Sequence, residues 1–187
     1  GTVFLNTTTG EMYCCTDATT NANVWTNIGD GTGTMPITYI SATGGTITTD
    51  GNFKVHTFLS SGTFTPTVGD AGAGDFVEYL CIAGGGSGGG CGGGGAGGYK
   101  SVASQTVTSA GYVVTVGAGG AETSTNVVGN NGTNSIIATL GVTSTGGGGG
   151  GHYDATAGHG SAGGSGGGGG YNYSGGTANG GAASPAG

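Results

Sequence analysis

Glycine runs placed directly between β-type segments constrain this chain more than any other feature. The run from Gly84 to Gly98 holds twelve glycines, interrupted only by Ser87, Cys91 and Ala96. It follows Phe76-Val77-Glu78-Tyr79-Leu80-Cys81-Ile82, whose apolar and β-favouring residues read as a strand. A second run, Gly146 to Gly151, follows Ile136-Ile137-Ala138-Thr139-Leu140-Gly141-Val142. Over such stretches there are no side chains to do chemistry, but the backbone can approach other backbone closely. A run of glycine costs up to ~1 kcal/mol per residue beyond alanine to order. Order therefore needs lateral hydrogen bonds. Extended glycine in the polyproline-II conformation turns every three residues and points its N–H and C=O groups outward. Several such segments side by side can satisfy one another, and we expect a bundle of them.

The remaining composition narrows the class. Glycine makes up 51 of 187 residues, and only 6% are charged. Collagen is excluded, because glycine is not at every third place and the prolines number three, Pro36, Pro66 and Pro185. Two lysines, Lys54 and Lys100, with a net charge of −7 cannot neutralise a phosphate backbone, so no nucleic-acid partner is expected. No run approaches the ~20 apolar residues of a spanning helix, so no membrane insertion is expected. Without an initiator Met or a leader, the chain reads as a processed product or a portion of something longer.

Helical signals are nearly absent, whereas period-two segments bounded by turn residues recur. Residues 1–28 read as a small β-meander and assembly module: Val3 to Thr7, Met12 to Thr16 and Val24 to Ile28, too small to fold alone. Residues 29–36 read as a linker. Residues 37–145 read as a β-sandwich core, with strands at 37–42, 46–49, 53–59, 63–68, 75–83, 99–108, 112–116 and 134–145 and the glycine run 84–98 inserted. Ser60-Ser61-Gly62 is the expected hairpin turn between two of them, and Asn130-Asn131-Gly132 another turn. Residues 146–187 form a glycine-rich tail. The fold class is thus all-β: a sandwich or jelly-roll-like core with ordered polyglycine segments.

Sites for chemistry are few. G-x-G-x-x-G matches are trivial in polyglycine, and Gly98-Tyr99-Lys100-Ser101 has no following helix to make a phosphate loop. No nucleophile–base–acid set is evident, His56 sits among strand residues, and we expect no enzyme, cofactor or metal site. Contact chemistry concentrates where side chains interrupt glycine: Tyr99, His152-Tyr153-Asp154, His159 and Tyr171-Asn172-Tyr173. Tyrosine and asparagine on glycine scaffolds offer rigid faces and adaptable hydrogen bonds, suiting receptor contact; the alternative is packing within the bundle or between subunits. Three sequons, at Asn6, Asn131 and Asn172, are candidates for glycosylation. Cys81 and Cys91, ten positions apart, could form a disulfide outside the cell, although free buried thiols are the simpler reading, as for Cys14 and Cys15.

The words between the glycines carry a resemblance. Ala42-Thr43-Gly44-Gly45-Thr46-Ile47, Phe53-Lys54-Val55-His56-Thr57-Phe58 and Ser60-Ser61-Gly62-Thr63-Phe64-Thr65 resemble the opening of the glycine-rich domain of bacteriophage tail fibres. The likeness continues through Val77 to Gly86, Gly94 to Lys100 and Tyr112 to Gly120. Related domains also occur in bacterial surface proteins. Val3 to Tyr13 with Val24-Trp25 is similar to short repeat modules upstream of such fibre domains. The resemblance implies a structural or adhesive component of an extracellular fibre, oligomeric, attaching to a host surface glycan or outer-membrane protein through its glycine-rich tip. It carries over no catalytic residues. The alternative is a self-assembling, pilus-like extracellular filament subunit joined by strand addition.

Overall fold

The computed structural model describes residues 2–6, 10–19, 22–28, 39–69, 75–124, 126–154 and 158–184. Its regular structure is all-β, in several small sheets with no closed barrel. The linker expected at 29–36 lies outside the described residues.

The N-terminal strands β1 (Val3–Leu5), β2 (Met12–Asp17) and β3 (Val24–Asn27) form the expected antiparallel meander, in the order β1-β2-β3. Phe4 meets Trp25 edge-on at 6.4 Å, and Tyr13 is the buried residue of this sheet. Next come β4 (Ser41–Thr43), β5 (Thr46–Asp50), β6 (Phe53–Thr57) and β7 (Gly62–Thr67). Among the described residues, strands β5 and β6 pair only with each other. Both glycines between β4 and β5, Gly44 and Gly45, have positive φ, and the carbonyls of Thr63 and Thr57 stand where their Cβ atoms would be, with the Phe58 ring close beside.

Ser60-Ser61-Gly62 is not a hairpin turn. Strand β7 pairs with β4 and with β10 (Tyr112–Thr115), not with β6. The segment is held elsewhere: the Val116 N–H donates to Ser61 Oγ at 3.0 Å. Strands β8 (Phe76–Ile82) and β9 (Tyr99–Thr106) form a two-stranded antiparallel ribbon on either side of the first glycine run.

The expected single strand over 134–145 is folded back on itself. It forms β11 (Ser135–Ile137), one 3₁₀ turn (Ala138–Leu140), and β12 (Val142–Ser144), reversed at Gly141 in the left-handed region (φ 64°). Strands β12-β11-β10-β7-β4 make one five-stranded antiparallel sheet. Tyr112 and Val142 are buried there, and the Tyr112 hydroxyl accepts the Thr108 N–H at 2.9 Å. Two-residue strands β13 (Tyr153–Asp154) and β14 (Tyr171–Asn172) pair in parallel near the end of the chain.

Buried apolar side chains are few: Tyr13, Pro66, Cys81, Ala83, Val107, Tyr112 and Val142 among the described residues. The deepest part of the molecule is glycine backbone, since all of Gly146–Gly151 is buried. The tail expected at 146–187 and the insertion at 84–98 therefore share one packing unit, and the boundary at residue 145 does not separate them.

Candidate functional site

Hydrogen bonds between neighbouring glycine segments recur at every third residue, the repeat of a polyproline-II helix. Ala83, Gly86 and Gly89 donate to Gly98, Gly95 and Gly92. On another side of the same segment, Gly84, Ser87 and Gly90 donate to Thr133, Asn130 and Val127. Two interleaved sets of three on one segment describe a helix with three-fold faces, each facing a different neighbour.

Gly146–Gly151 is the axis of this bundle. Its N–H groups donate in turn to Asn134 Oδ1, Gly84 O, Ser165 O, Asn131 Oδ1, Ser87 O and Gly168 O. Its carbonyls accept from Gly164, Gly132, Gly95, Ser161, Gly129 and Gly92. Every donor and acceptor of six consecutive buried residues is thus satisfied, with bonds of 2.7–2.9 Å, by five surrounding segments. Asn131 and Asn134 stand three apart and so lie on one face of their own extended helix, where they act as side-chain extensions of its carbonyl ladder. The sequence reading expected a turn at Asn130-Asn131-Gly132; the chain is extended there because Asn130 O, Gly132 N–H and Asn131 Oδ1 all have lateral partners.

Five strand ends feed the near end of the bundle: Ala83 follows β8, Gly98 precedes β9, Val116 follows β10, Asn134 precedes β11 and Thr145 follows β12. The far end is made by Gly89–Gly92, Asn126 (φ 76°), Gly151-His152, Gly158 and Gly170. From that far end project the tyrosines. Tyr153 stacks on Tyr171 (centroids 5.6 Å, planes 13° apart) and on Tyr173 (4.9 Å, 24°). All three rings stay about half exposed, at 47%, 58% and 55%. The β13–β14 register, Tyr153 opposite Tyr171, sets the first stack. An Asx turn sets the second: Ser174 N–H donates to Asn172 Oδ1 at 3.0 Å, bringing the chain round Tyr173 to Gly175 at φ 81°.

A family model described as a glycine-rich domain matches residues 59–187. The chain belongs to the glycine-rich domain family. No curated protein and no solved structure matches it. The matched span of this glycine-rich domain takes in β7 to β14, the whole bundle and the tyrosine tip.

The candidate residues named from sequence fall into two groups within the glycine-rich domain. Tyr153, Tyr171, Asn172 and Tyr173 come together at the far end, with His152 at the end of the axial segment. Asp154 opposes Asn172 in the β13–β14 register. His159 is exposed, and its Nδ1 accepts the Asn179 N–H at 3.0 Å, which places its proton on Nε2. Tyr99 lies apart, at the near end, exposed beside a shallow cleft of about 140 Å³ lined by Lys100, Thr143, Thr145, Ser165 and Ser184. His56 is structural: its Nδ1–H donates to Gly44 O at 2.8 Å and its ring meets Phe64 edge-on at 5.2 Å.

Cys81 and Cys91 do not form a disulfide; all four cysteines are free thiols. Cys81 is buried at the near end and Cys91 exposed at the far end, and the nine residues between them, extended at about 3.1 Å per residue, set the two roughly 30 Å apart. Cys14 and Cys15 are half-buried. Burial pushes the Cys81 thiol above its ordinary value, against smaller opposing effects of Ser144 and Lys100. Of the three sequons, Asn131 is exposed with its Oδ1 tied to the axial Gly149 N–H, Asn172 lies in the tip and Asn6 follows β1. Among the described residues no three His, Cys, Asp or Glu side chains group as a metal site, and no helix is long and apolar enough to cross a membrane.

Proposed function

We propose that this glycine-rich domain is a structural and adhesive part of an extracellular fibre, of the bacteriophage tail-fibre kind, that holds a binding tip against a host-surface glycan or outer-membrane protein. One observation carries the reading: a bundle whose axial segment, Gly146–Gly151, has every backbone hydrogen bond satisfied receives strands at one end and displays half-exposed tyrosines at the other. Such a bundle resists bending, because any segment that moves breaks bonds to several neighbours at once. Rigid support for aromatic contact residues is what a binding tip requires. Large apolar residues left exposed on β1, β5, β6, β8 and β9, among them Phe53, Leu80 and Ile82, suit burial against further copies of the chain, so the working fibre is a homo-oligomer. The chain acts by holding and not by turnover.

A second reading has support from the N-terminal sheet. Strand β1 is an edge with Val3, Phe4 and Leu5 all exposed, suited to completing a neighbour's sheet in a pilus-like filament. Electron microscopy of purified protein at near-native concentration separates the two. Discrete knobbed oligomers that retain binding to bacterial cells support the tail-fibre reading. Long helical polymers overturn it in favour of the filament.

A further inference from the structure

We propose that the stack of Tyr153, Tyr171 and Tyr173 is a platform for an uncharged sugar ring. The proposal rests on the adhesive reading and gives its tip a ligand class. The faces of aromatic rings carry negative quadrupole density, which attracts the polarised C–H bonds lining one face of a pyranose. The rings stack on one another, with 13° and 24° between planes, so the faces turned together are covered. The ring surface that remains, with the three residues still 47%, 58% and 55% exposed, is what a sugar can stack on at the end of the bundle. The three hydroxyls and the Asn172 and Ser174 groups beside the rings supply donors and acceptors for sugar hydroxyls.

Charge selects within the carbohydrates. The chain has two cationic side chains, and both are elsewhere: Lys54 in β6, bonded to Thr49, and Lys100 in β9 at the near end. With a net charge of −7 and no lysine or arginine at the tip, sialylated, sulfated or phosphorylated glycans are repelled, not held. The platform is also preordered. Tyr153 and Tyr171 are paired strand residues, and Tyr173 is fixed by the Asx turn, so little side-chain freedom is lost on binding.

The test is a glycan array probed with the full chain, carrying neutral hexose and N-acetylhexosamine oligosaccharides beside sialylated and sulfated ones, with choline chloride titrated as a cationic probe. We expect binding confined to neutral glycans. Tyr171→Ala and Tyr173→Ala should each weaken it by roughly tenfold, the loss of about one stacking face. Tyr171→Phe should retain most of it and Tyr99→Ala all of it. Saturation transfer from tyrosine ring protons to the sugar should vanish in the alanine variants, whose circular dichroism must match the parent. Preference for anionic glycans, stronger binding of choline, or neutral-glycan binding unchanged in both alanine variants would overturn the proposal. Failure to bind any neutral glycan while the full chain still adheres to cells overturns the sugar platform and leaves the adhesive reading standing. Loss of both removes the adhesive reading itself.

Discussion

Replacing Gly149 with alanine is the smallest change that interrogates the bundle. A Cβ there would fall inside the Gly129 carbonyl, far below the 3.0 Å that real Cβ atoms keep. To restore ordinary contact the 127–134 segment must retreat by about 1.5 Å. That retreat pulls apart the bonds from Gly129 N–H to Gly150 O and from Gly149 N–H to Asn131 Oδ1, both 2.8 Å. Shifting the axis the other way instead strains the bond from Ser161 N–H to Gly149 O, also 2.8 Å. Each buried polar group left unpaired costs about 1–3 kcal/mol, so two or three of them cost on the order of 3–6 kcal/mol. Alanine returns only about 0.4–1 kcal/mol by restricting the unfolded chain. The net loss is a large share of a stability of about 5–15 kcal/mol.

Gly93→Ala is the matched control. Gly93 lies in the same kind of run, with no positive φ and nothing within 4 Å of its would-be Cβ. Here the unfolded-state effect acts alone, and the variant should be unchanged or more stable by up to ~1 kcal/mol. Thermal and guanidinium unfolding followed by far-ultraviolet circular dichroism would read both. The expected result is opposite signs for one and the same substitution. Equal midpoints for the two variants would refute the argument that backbone contact, not glycine content, orders these segments.

Four further outcomes follow from the same geometry. Gly89→Val should damage stability far more than Thr49→Val, because the Gly89 Cβ would enter the Gly150 and Gly151 carbonyls whereas Thr49 is exposed on β5; equal melting temperatures would count against this. Asn131→Ala should cost about 1–3 kcal/mol by orphaning the Gly149 N–H, and hydrogen exchange at that amide should speed up, whereas Asn130→Ala keeps its backbone bond to Ser87 and should cost less. Exposed Cys91 should react with a thiol reagent in the native state well before buried Cys81, and simultaneous labelling of both would contradict the fold. Because burial raises the Cys81 thiol above its ordinary 9.0, the unfolded chain ionises first; this part of the stability is intact below pH 9.0 and declines as pH rises through the folded value, a slope that Cys81→Ser should reduce.

Much of this was legible from residue order. The all-β class, the meander at the start, and strands near 46–49, 53–59, 63–68, 75–83, 99–108 and 112–116 follow from β-branched and aromatic residues between turn formers. So does the polyglycine bundle, since extended glycine has no other way to satisfy its amides. The tyrosines at 153, 171 and 173 stood out because they interrupt glycine. The reversal at Gly141 was hidden: an isolated glycine in an apolar run reads as a tolerated strand residue until both halves are seen to pair. The structural role of Asn131 and Asn134 was also missed, although their spacing of three, equal to the turn of the helix they sit on, is a signal that could have revealed it.

Composition and local order fixed what each segment can be, because conformational preference and hydrogen-bonding need are properties of a residue and its near neighbours. Which glycine run lies at the axis, which tyrosine meets which, and why Cys81 and Cys91 stay apart were decided only in three dimensions. A glycine segment has no side chain to encode its partner. Its register comes instead from where the strands of β8 to β12 end and from the two asparagines that close the ladder.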